Sequence, residues 1–164
     1  MKKLYTMLLL VISLCTASCS DWLDVSPSNQ VNGDKLFEIG DGYRNALNGI
    51  YLNLGTSSMY GQTMSWGFMD AIAQYYKTDN GSNFIPKTSA YYKSAKFQFE
   101  DSDVKTFISN IWSVSYNNIA NCNNLILNVS EASPSVFKEG EFEKNMIWGE
   151  ALALRAFMHF DLLD

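Results

Sequence analysis

The stretch DSDVKTFISNIWSVSYNNIANCNNLILNV (residues 101–129) decides the fold class of this chain. Its apolar residues recur at steps of three or four, as one face of an α-helix requires. These residues are Val104, Ile108, Ile111, Ile119, Cys122, Ile126 and Val129. Residues 101–103 favour a helix start, because side-chain oxygens cap free amides and acids suit that end of the dipole. Trp112 and Tyr116 share an adjacent stripe, and their spacing predicts core packing.

The same periodicity predicts helices on both sides of this stretch. Upstream, a helix is predicted to open at Asp34 and to end at Gly55. Its inward positions are Leu36, Ile39, Tyr43, Leu47, Ile50 and Leu54. A second helix is predicted from about Tyr60 to Lys77. Downstream, the pattern from Glu139 to Asp164 contains so many apolar positions that this helix is expected to be buried.

The N-terminus has the pattern of a lipoprotein leader. A basic start at residues 1–3 precedes an apolar run at residues 4–15, which is roughly 12 residues against the ~20 that span a bilayer. The small residues Thr16-Ala17-Ser18 then precede Cys19, as in a lipobox. We therefore expect a signal peptide at residues 1–18, lipid attachment at Cys19 and a polar tether at residues 19–33. A conventional signal peptide with an incidental cysteine is the alternative.

Composition excludes several classes of function. With a net charge of −5 and no cluster of basic residues, the chain is not expected to bind nucleic acid, because such binding depends on neutralising phosphates. It contains one histidine and no cysteine spacing typical of a zinc site, so no metal or cofactor is expected. Hydrophobic residues make up 47% of the chain, which is enough to build a packed core.

No set of residues indicates catalysis, and the chain is not expected to be an enzyme. Glu150 and Arg155 are five residues apart, so they do not face each other on one helix. Each is expected to be satisfied by neighbouring helices or backbone. His159 is expected to pack in the helical core, since no nucleophile motif accompanies it. The acids at residues 139–143 are expected to form a solvated helix start.

Exposed aromatic and amide side chains are the best candidates for ligand binding. Tyr91 and Tyr92 follow a turn-like segment at residues 78–89 and are predicted to be extended or in an ordered loop. Aromatic faces can stack on the C–H groups of sugar rings, and the amides of Asn80 and Asn83 can bond hydroxyls. These four residues are the predicted glycan contacts.

Three segments in this order resemble the SusD/RagB family. They are CSDWLDVSP (residues 19–27), IWSVSYNNIANCN (residues 111–123) and GEALALRAFMHFDL (residues 149–162). The chain departs from the family pattern at Leu152, where a basic residue is usual, and at Met158-His159, where aromatics are common. Both departures affect helix packing.

The resemblance implies an all-α fold of tetratricopeptide-like helix pairs with long loops. It also implies a lipoprotein on the outer membrane that binds oligosaccharide and delivers it to a SusC-type TonB-dependent transporter. Residues 34–164 would be the N-terminal part of the SusD-like domain, because the last helix has no C-cap after Leu163. Two alternatives stay open, namely a helical scaffold lipoprotein of the envelope and a fragment of a surface glycoside hydrolase.

Overall fold

The computed structural model describes residues 33–76 and 86–163, and within them every regular element is helical. The α-helices are α1 (Gly33–Leu36), α2 (Gly40–Leu54), α3 (Phe68–Ile72), α4 (Ala90–Ala95), α5 (Ser102–Glu131) and α6 (Glu141–Asp161). A 3₁₀ turn, Pro134–Val136, lies between α5 and α6. The prediction of an all-α fold is confirmed. Helix α1 belongs to a separate N-terminal unit, and the second unit begins at Phe37.

Helices α5 and α6 form an antiparallel hairpin. Near the turn, Lys144 Nζ donates to the Ala132 carbonyl oxygen at 2.8 Å. Farther along, Arg155 Nη1 donates to Asn123 Oδ1 at 2.9 Å. Residue numbers therefore rise along one helix as they fall along the other. The Asp101 side chain caps α5 by accepting from the Asp103 backbone amide, as the sequence predicted.

Helix α2 runs parallel to α6 and antiparallel to α5. Arg44 forms an ion pair with Glu143, and seven residues later Tyr51 Oη donates to Glu150 Oε2 at 2.9 Å. Both contacts join residues 99 positions apart, so the two helices advance in the same direction. The order α2, α5, α6 thus gives two antiparallel pairs that share α5, consistent with the predicted helix-pair architecture.

One core fills the space between these three helices. Its buried side chains come from the inward faces of α2, α5 and α6, together with Met59 and Phe137 from the connections. The helical members are Tyr43, Leu47, Ile50, Leu54, Ile119, Cys122, Leu125, Val129, Ile147, Ala151 and Met158. Burial raises the pKa of the Cys122 thiol to about 11, so that thiol is protonated at neutral pH. A smaller core of Phe68, Val104 and Ile111 lies near the start of α5.

Two helix predictions are wrong in extent. Helix α2 begins at Gly40, and Ile39, which was expected to face the core, is 62% exposed. The helix predicted over Tyr60–Lys77 is reduced to Phe68–Ile72. At Gly61 an added Cβ would lie 2.4 Å from the Gly55 carbonyl oxygen, so the backbone is folded tightly on itself there. Close backbone packing replaces the helical ladder in this stretch.

Helix α6 is buried on one face only, in contrast to the prediction. Its buried positions are Glu143, Ile147, Ala151 and Met158. Phe142 and Phe160 are 69% and 62% exposed, and His159 is exposed rather than packed in the core. None of the helices in the described part of the chain is long and apolar enough to span a bilayer.

Candidate functional site

The predicted glycan contacts fall partly within the described structure. Asn80, Asn83 and the lipid-attachment residue Cys19 lie outside the described residues. Tyr91 and Tyr92 lie within α4 and are half-buried, so the prediction of extended or loop structure there is wrong. Ser89 starts this helix by accepting from the Tyr91 backbone amide.

Tyr91 is held from two sides. Its hydroxyl accepts a hydrogen bond of 2.7 Å from Gln62 Nε2. Its ring packs against Phe107 of α5 with the centroids 5.2 Å apart. The ring of Tyr92 instead lies beneath Lys96 Nζ, at 5.7 Å. Tyr91 therefore links α4, α5 and the segment that follows α2.

That segment, residues 55–67, is an ordered loop fixed by hydrogen bonds to its own backbone. Thr63 Oγ1 donates to the Ser57 carbonyl at 2.8 Å, and Ser65 Oγ donates to the Tyr60 carbonyl at 2.9 Å. The Gly67 amide donates to the Gln62 carbonyl at 2.8 Å. Met59 is fully buried and anchors the loop to the core. The ordered backbone of residues 55–67 therefore holds the exposed side chains of this loop in fixed positions.

Trp66 is the most exposed aromatic residue of this loop, with 58% of its surface accessible. Its carbonyl oxygen accepts a hydrogen bond from Tyr76 Oη, which also lies 3.5 Å from Asp70 Oδ2. Partial burial raises the pKa of Tyr76, and the charge of Asp70 and the hydrogen bond with it raise the pKa further. Tyr76 therefore stays protonated at neutral pH, and its single O–H donates to the Trp66 carbonyl.

The backbone beside Tyr76 adopts an uncommon conformation. Gln74 has a φ of 64°, in the left-handed region that few residues other than glycine occupy. Its side-chain Nε2 donates to the Ala95 carbonyl at 2.6 Å and so ties the end of α3 to the end of α4. Such outliers persist only where surrounding contacts hold them, and they cluster at functional sites.

Lys93 fixes α4 against the start of α5. Its Nζ lies 2.9 Å from Asp101 Oδ2 and 2.8 Å from Asp103 Oδ2. Hydrogen bonds to Asp103 and Asp101 raise the pKa of Lys93, and the bond from Lys93 lowers that of Asp101. The Lys93 ammonium therefore has a structural role, because it joins α4 to the start of α5.

Together these contacts define what we call the aromatic cluster: Gln62, Trp66, Asp70, Tyr76 and Tyr91. It combines an exposed indole, two phenols, an amide and a carboxylate from the loop, α3 and α4. Aromatic faces provide apolar stacking surfaces, while the amide and carboxylate can orient hydroxyl groups. This chemistry suits a polyhydroxylated ligand.

Sequence reasoning found only Tyr91 of the aromatic cluster. It missed Gln62, Trp66, Asp70 and Tyr76 because it assigned residues 60–77 to a helix. Gly61 and Gly67 were the available signal, since glycine is unfavourable within a helix and favoured where backbones approach closely.

The residues weighed for catalysis have structural partners. Glu150 and Arg155 bond Tyr51 and Asn123 respectively, which confirms the expectation that each is satisfied by a neighbour. Glu143 was expected to be solvated, but it is 1% exposed and bonded to Arg44. The Glu139 backbone amide also donates to Glu143, at 3.1 Å. The buried carboxylate therefore caps the start of α6 and pairs with α2.

Comparison with known families identifies the group to which the chain belongs. A family model named SusD-like and described as "Starch-binding associating with outer membrane" matches residues 21–164. The chain belongs to the SusD-like family. No curated protein and no solved structure matches it. The expected SusD/RagB membership is confirmed. The family consists of binding proteins rather than enzymes and is associated with the outer membrane.

Proposed function

We propose that this SusD-like chain is a cell-surface lipoprotein that binds a neutral oligosaccharide at its aromatic cluster. It then delivers the sugar to a SusC-type TonB-dependent transporter in the outer membrane. The observation that supports sugar binding most strongly is Trp66, an indole exposed on a loop whose backbone is held rigid. The family description, starch-binding with outer-membrane association, points in the same direction.

The chemistry of the cluster matches the requirements of a sugar. Each hexose has faces of C–H groups that stack on an aromatic plane and a rim of hydroxyls that both donate and accept hydrogen bonds. Trp66 supplies the plane, and Asp70 accepts hydrogen bonds. The Tyr76 O–H already donates to the Trp66 carbonyl, so its oxygen can accept a further hydrogen bond. Because the loop is already ordered, little conformational entropy is lost on binding.

Anchoring forms the second part of the proposal. Residues 1–18 act as the signal peptide, and residues 19–33 form a tether that is acylated at Cys19. Residues 34–164 belong to the SusD-like helical domain. Each buried methylene contributes about 0.8 kcal/mol, so the several chains of a lipoprotein cysteine hold permanently where one chain holds only marginally. The anchor keeps the binding site close to the transporter.

A titration of point variants tests the sugar site. We would titrate the full chain with maltoheptaose and with neutral xylan, mannan and β-glucan oligosaccharides. Trp66→Ala should raise the dissociation constant at least about tenfold, which corresponds to about 1.4 kcal/mol. Tyr91→Phe, which keeps the ring and removes the hydrogen bond with Gln62, should have a smaller effect.

The matched control is Phe142→Ala, which removes another exposed aromatic residue, on α6. This variant should bind with the affinity of the unmodified chain. If Trp66→Ala bound oligosaccharide with an unchanged dissociation constant, the aromatic cluster would not be the binding site. Retention of Cys19→Ala in carbonate-washed outer membranes would rule out lipid anchoring, independently of the sugar result.

A further inference from the structure

An exposed apolar stripe runs along the outer side of α6. Six residues at steps of three or four, all of them exposed, share a sector of roughly 80° on this helix. They form what we call the α6 stripe: Phe142, Met146, Gly149, Ala153, Ala156 and Phe160. The stripe is roughly 27 Å long and contains no polar side chain. Exposed helix positions usually carry polar or charged residues, so this face has the character of a contact surface.

The α6 stripe faces away from both helices that pack against α6. Helix α2 contacts α6 through Glu143 and Glu150. Helix α5 contacts it through Lys144 and Arg155. Since each residue turns the helix by roughly 100°, all four contacts lie roughly 80° or more from the centre of the stripe. A further helix can therefore approach α6 without displacing α2 or α5.

The exposed aromatic residues of α5 form no comparable surface. Trp112 and Tyr116 are 47% and 48% exposed, in contrast to the core packing that their spacing predicted. Asn123 lies on the same side of α5 and is bonded to Arg155, so a cation borders these two rings. The α6 stripe is the longer and more uniformly apolar of the two surfaces.

The α6 stripe is complementary to itself when a second copy runs antiparallel to it. A two-fold axis at the level of residue 151 would pair Phe142 with Phe160, Met146 with Ala156 and Gly149 with Ala153. Two aromatic rings then meet at each end, and beside them a large side chain meets a small one. Small residues meet at the centre, where they allow the two helix backbones to approach closely.

The flank of the stripe is self-complementary as well. Glu141 and His159 lie on the same side of it, and the antiparallel arrangement brings each Glu141 within roughly 3 Å of His159 of the second copy along the helix axis. An imidazole has at least one N–H that can donate to a carboxylate, and the symmetry provides this pair twice. A parallel arrangement would instead place the two Glu141 side chains at the same level and align the two helix dipoles.

We propose that a second copy of this chain binds the α6 stripe and forms an antiparallel, two-fold-symmetric dimer through the two α6 helices. This self-association goes beyond the proposed function and does not depend on sugar binding. A contact along all of α6 would bury on the order of 1,000 Å² over both copies, which is the range of weak, transient interfaces. The dimer is therefore expected to dissociate on dilution.

Other occupants match the α6 stripe less well. A sugar would find no hydrogen-bonding group among its six side chains. An anionic bilayer surface would repel a chain with a net charge of −5. A helix of another protein would have to reproduce, in reverse order, the pattern of large and small residues that this chain itself supplies.

Sedimentation equilibrium of the full chain in a density-matched neutral detergent, at about 5–500 μM, tests the dimer. Ala153→Glu should raise the dissociation constant of the dimer at least about tenfold, because it places two charges in an apolar contact. The matched control is Ala120→Glu, at an exposed position of α5, which should dissociate like the unmodified chain. A monomer at every concentration would overturn the proposal, as would equal dissociation constants for all three proteins.

Cysteine cross-linking tests the register of the two helices. Copies carrying Phe142→Cys and copies carrying Phe160→Cys, mixed and mildly oxidised, should form the mixed disulfide in preference to disulfides between identical copies. The native Cys122 is fully buried, and the unmodified chain treated in the same way measures any cross-linking through native cysteines. Disulfides between identical copies alone, or no cross-link above that background, would refute the antiparallel contact. Neither outcome involves Trp66, so sugar binding at the aromatic cluster is tested separately.

Discussion

The three long helices and the segment between α2 and α5 are built by different means. Helices α2, α5 and α6 are held by periodic apolar faces that meet in one core. In the segment between α2 and α5, the described residues 55–76 and 86–101 contain only two short helices, α3 and α4. They depend on individual hydrogen bonds such as that from Gln74 to Ala95. Both regions contain buried and exposed aromatic residues: Tyr43 and Phe68 are buried, whereas Phe142 and Trp66 are exposed. The chain therefore combines a scaffold of three long helices with a loop, residues 55–67, that exposes side chains to solvent.

The contrast explains where binding chemistry can arise. In the helical region a side chain on the inner face is constrained by close packing, so a change of shape there costs stability. In residues 55–67 the backbone is fixed by its own hydrogen bonds, and an exposed side chain such as Trp66 can change with little effect on the core. Under the proposed function, substitutions in this segment would alter ligand specificity while the helices stay the same.

The largest expected effect tests the scaffold. Leu125 is fully buried in the main core, and Leu127 on the same helix is 59% exposed. Leu125→Ala should lower the free energy of unfolding by about 2–5 kcal/mol, because it leaves a cavity. Leu127→Ala should change it by less than about 0.5 kcal/mol. Urea denaturation measures both, and equal effects would show that the assigned core is wrong.

A smaller effect tests the presenting loop. Gly61→Ala would place a Cβ 2.4 Å from the Gly55 carbonyl oxygen and 2.7 Å from that of Thr56. Relief of this overlap should displace the loop, cost about 1–3 kcal/mol and weaken oligosaccharide binding at the aromatic cluster. Calorimetric titration and urea denaturation measure the two effects. A variant with full stability and full binding would contradict the backbone arrangement described for residues 55–67.

The pH dependence tests the contact between α2 and α6. A backbone hydrogen bond from Glu139 and the pairing with Arg44 lower the pKa of Glu143 from its ordinary value of 4.5. The deprotonated form is therefore favoured by folding. Its contribution is complete above about pH 4.5 and is lost as the pH falls through the lower, folded pKa.

Thermal melts between about pH 6 and pH 3 should therefore show a smaller acid-induced loss of stability in Arg44→Met than in the unmodified chain. Lys138→Met is the control, because it removes an ion pair with Asp41 in which both side chains are at least half exposed. Solvent screens that pair, so its loss should alter the melts less. Identical profiles for all three proteins would show that Arg44 does not stabilise Glu143.

The smallest effect is a gain in stability. Gly149 lies in α6, where an added Cβ would meet nothing within 4 Å. Gly149→Ala should raise the free energy of unfolding by about 0.5–1 kcal/mol, because alanine loses less conformational freedom in a helix. A loss of stability would mean that another surface approaches this position. Gly149→Ala and Gly61→Ala should therefore change the free energy of unfolding in opposite directions.

Sequence patterns predicted the scaffold better than the loop. The start of α5 at Asp101 and the burial of Val104, Cys122 and Val129 followed from local capping and periodicity. These features depend on residues close in sequence. The environment of Glu143 could not be found in that way, since its partner Arg44 lies 99 residues away. Only the packing of α2 beside α6 brings the two side chains together.

Aromatic residues caused the other errors. Trp112 and Tyr116 have the spacing of core residues, yet periodicity reports which residues share a face and not which face is covered. The direction of burial on α5 was set instead by Ile119, Cys122 and Leu125, which contact the partner helices. Asn80 and Asn83 stay untested predictions, because they lie outside the described residues.

Helix α5 has a mechanical consequence for the whole unit. Its 30 residues contain neither glycine nor proline, and they rise roughly 45 Å without a natural bending point. Its first turns carry the small core beneath Phe68, and its later turns carry the main core. The helix is therefore a straight, stiff element that contributes side chains to both cores. A displacement at the start of α5 would therefore be transmitted to the hairpin turn, and any hinge in this unit would lie outside residues 102–131.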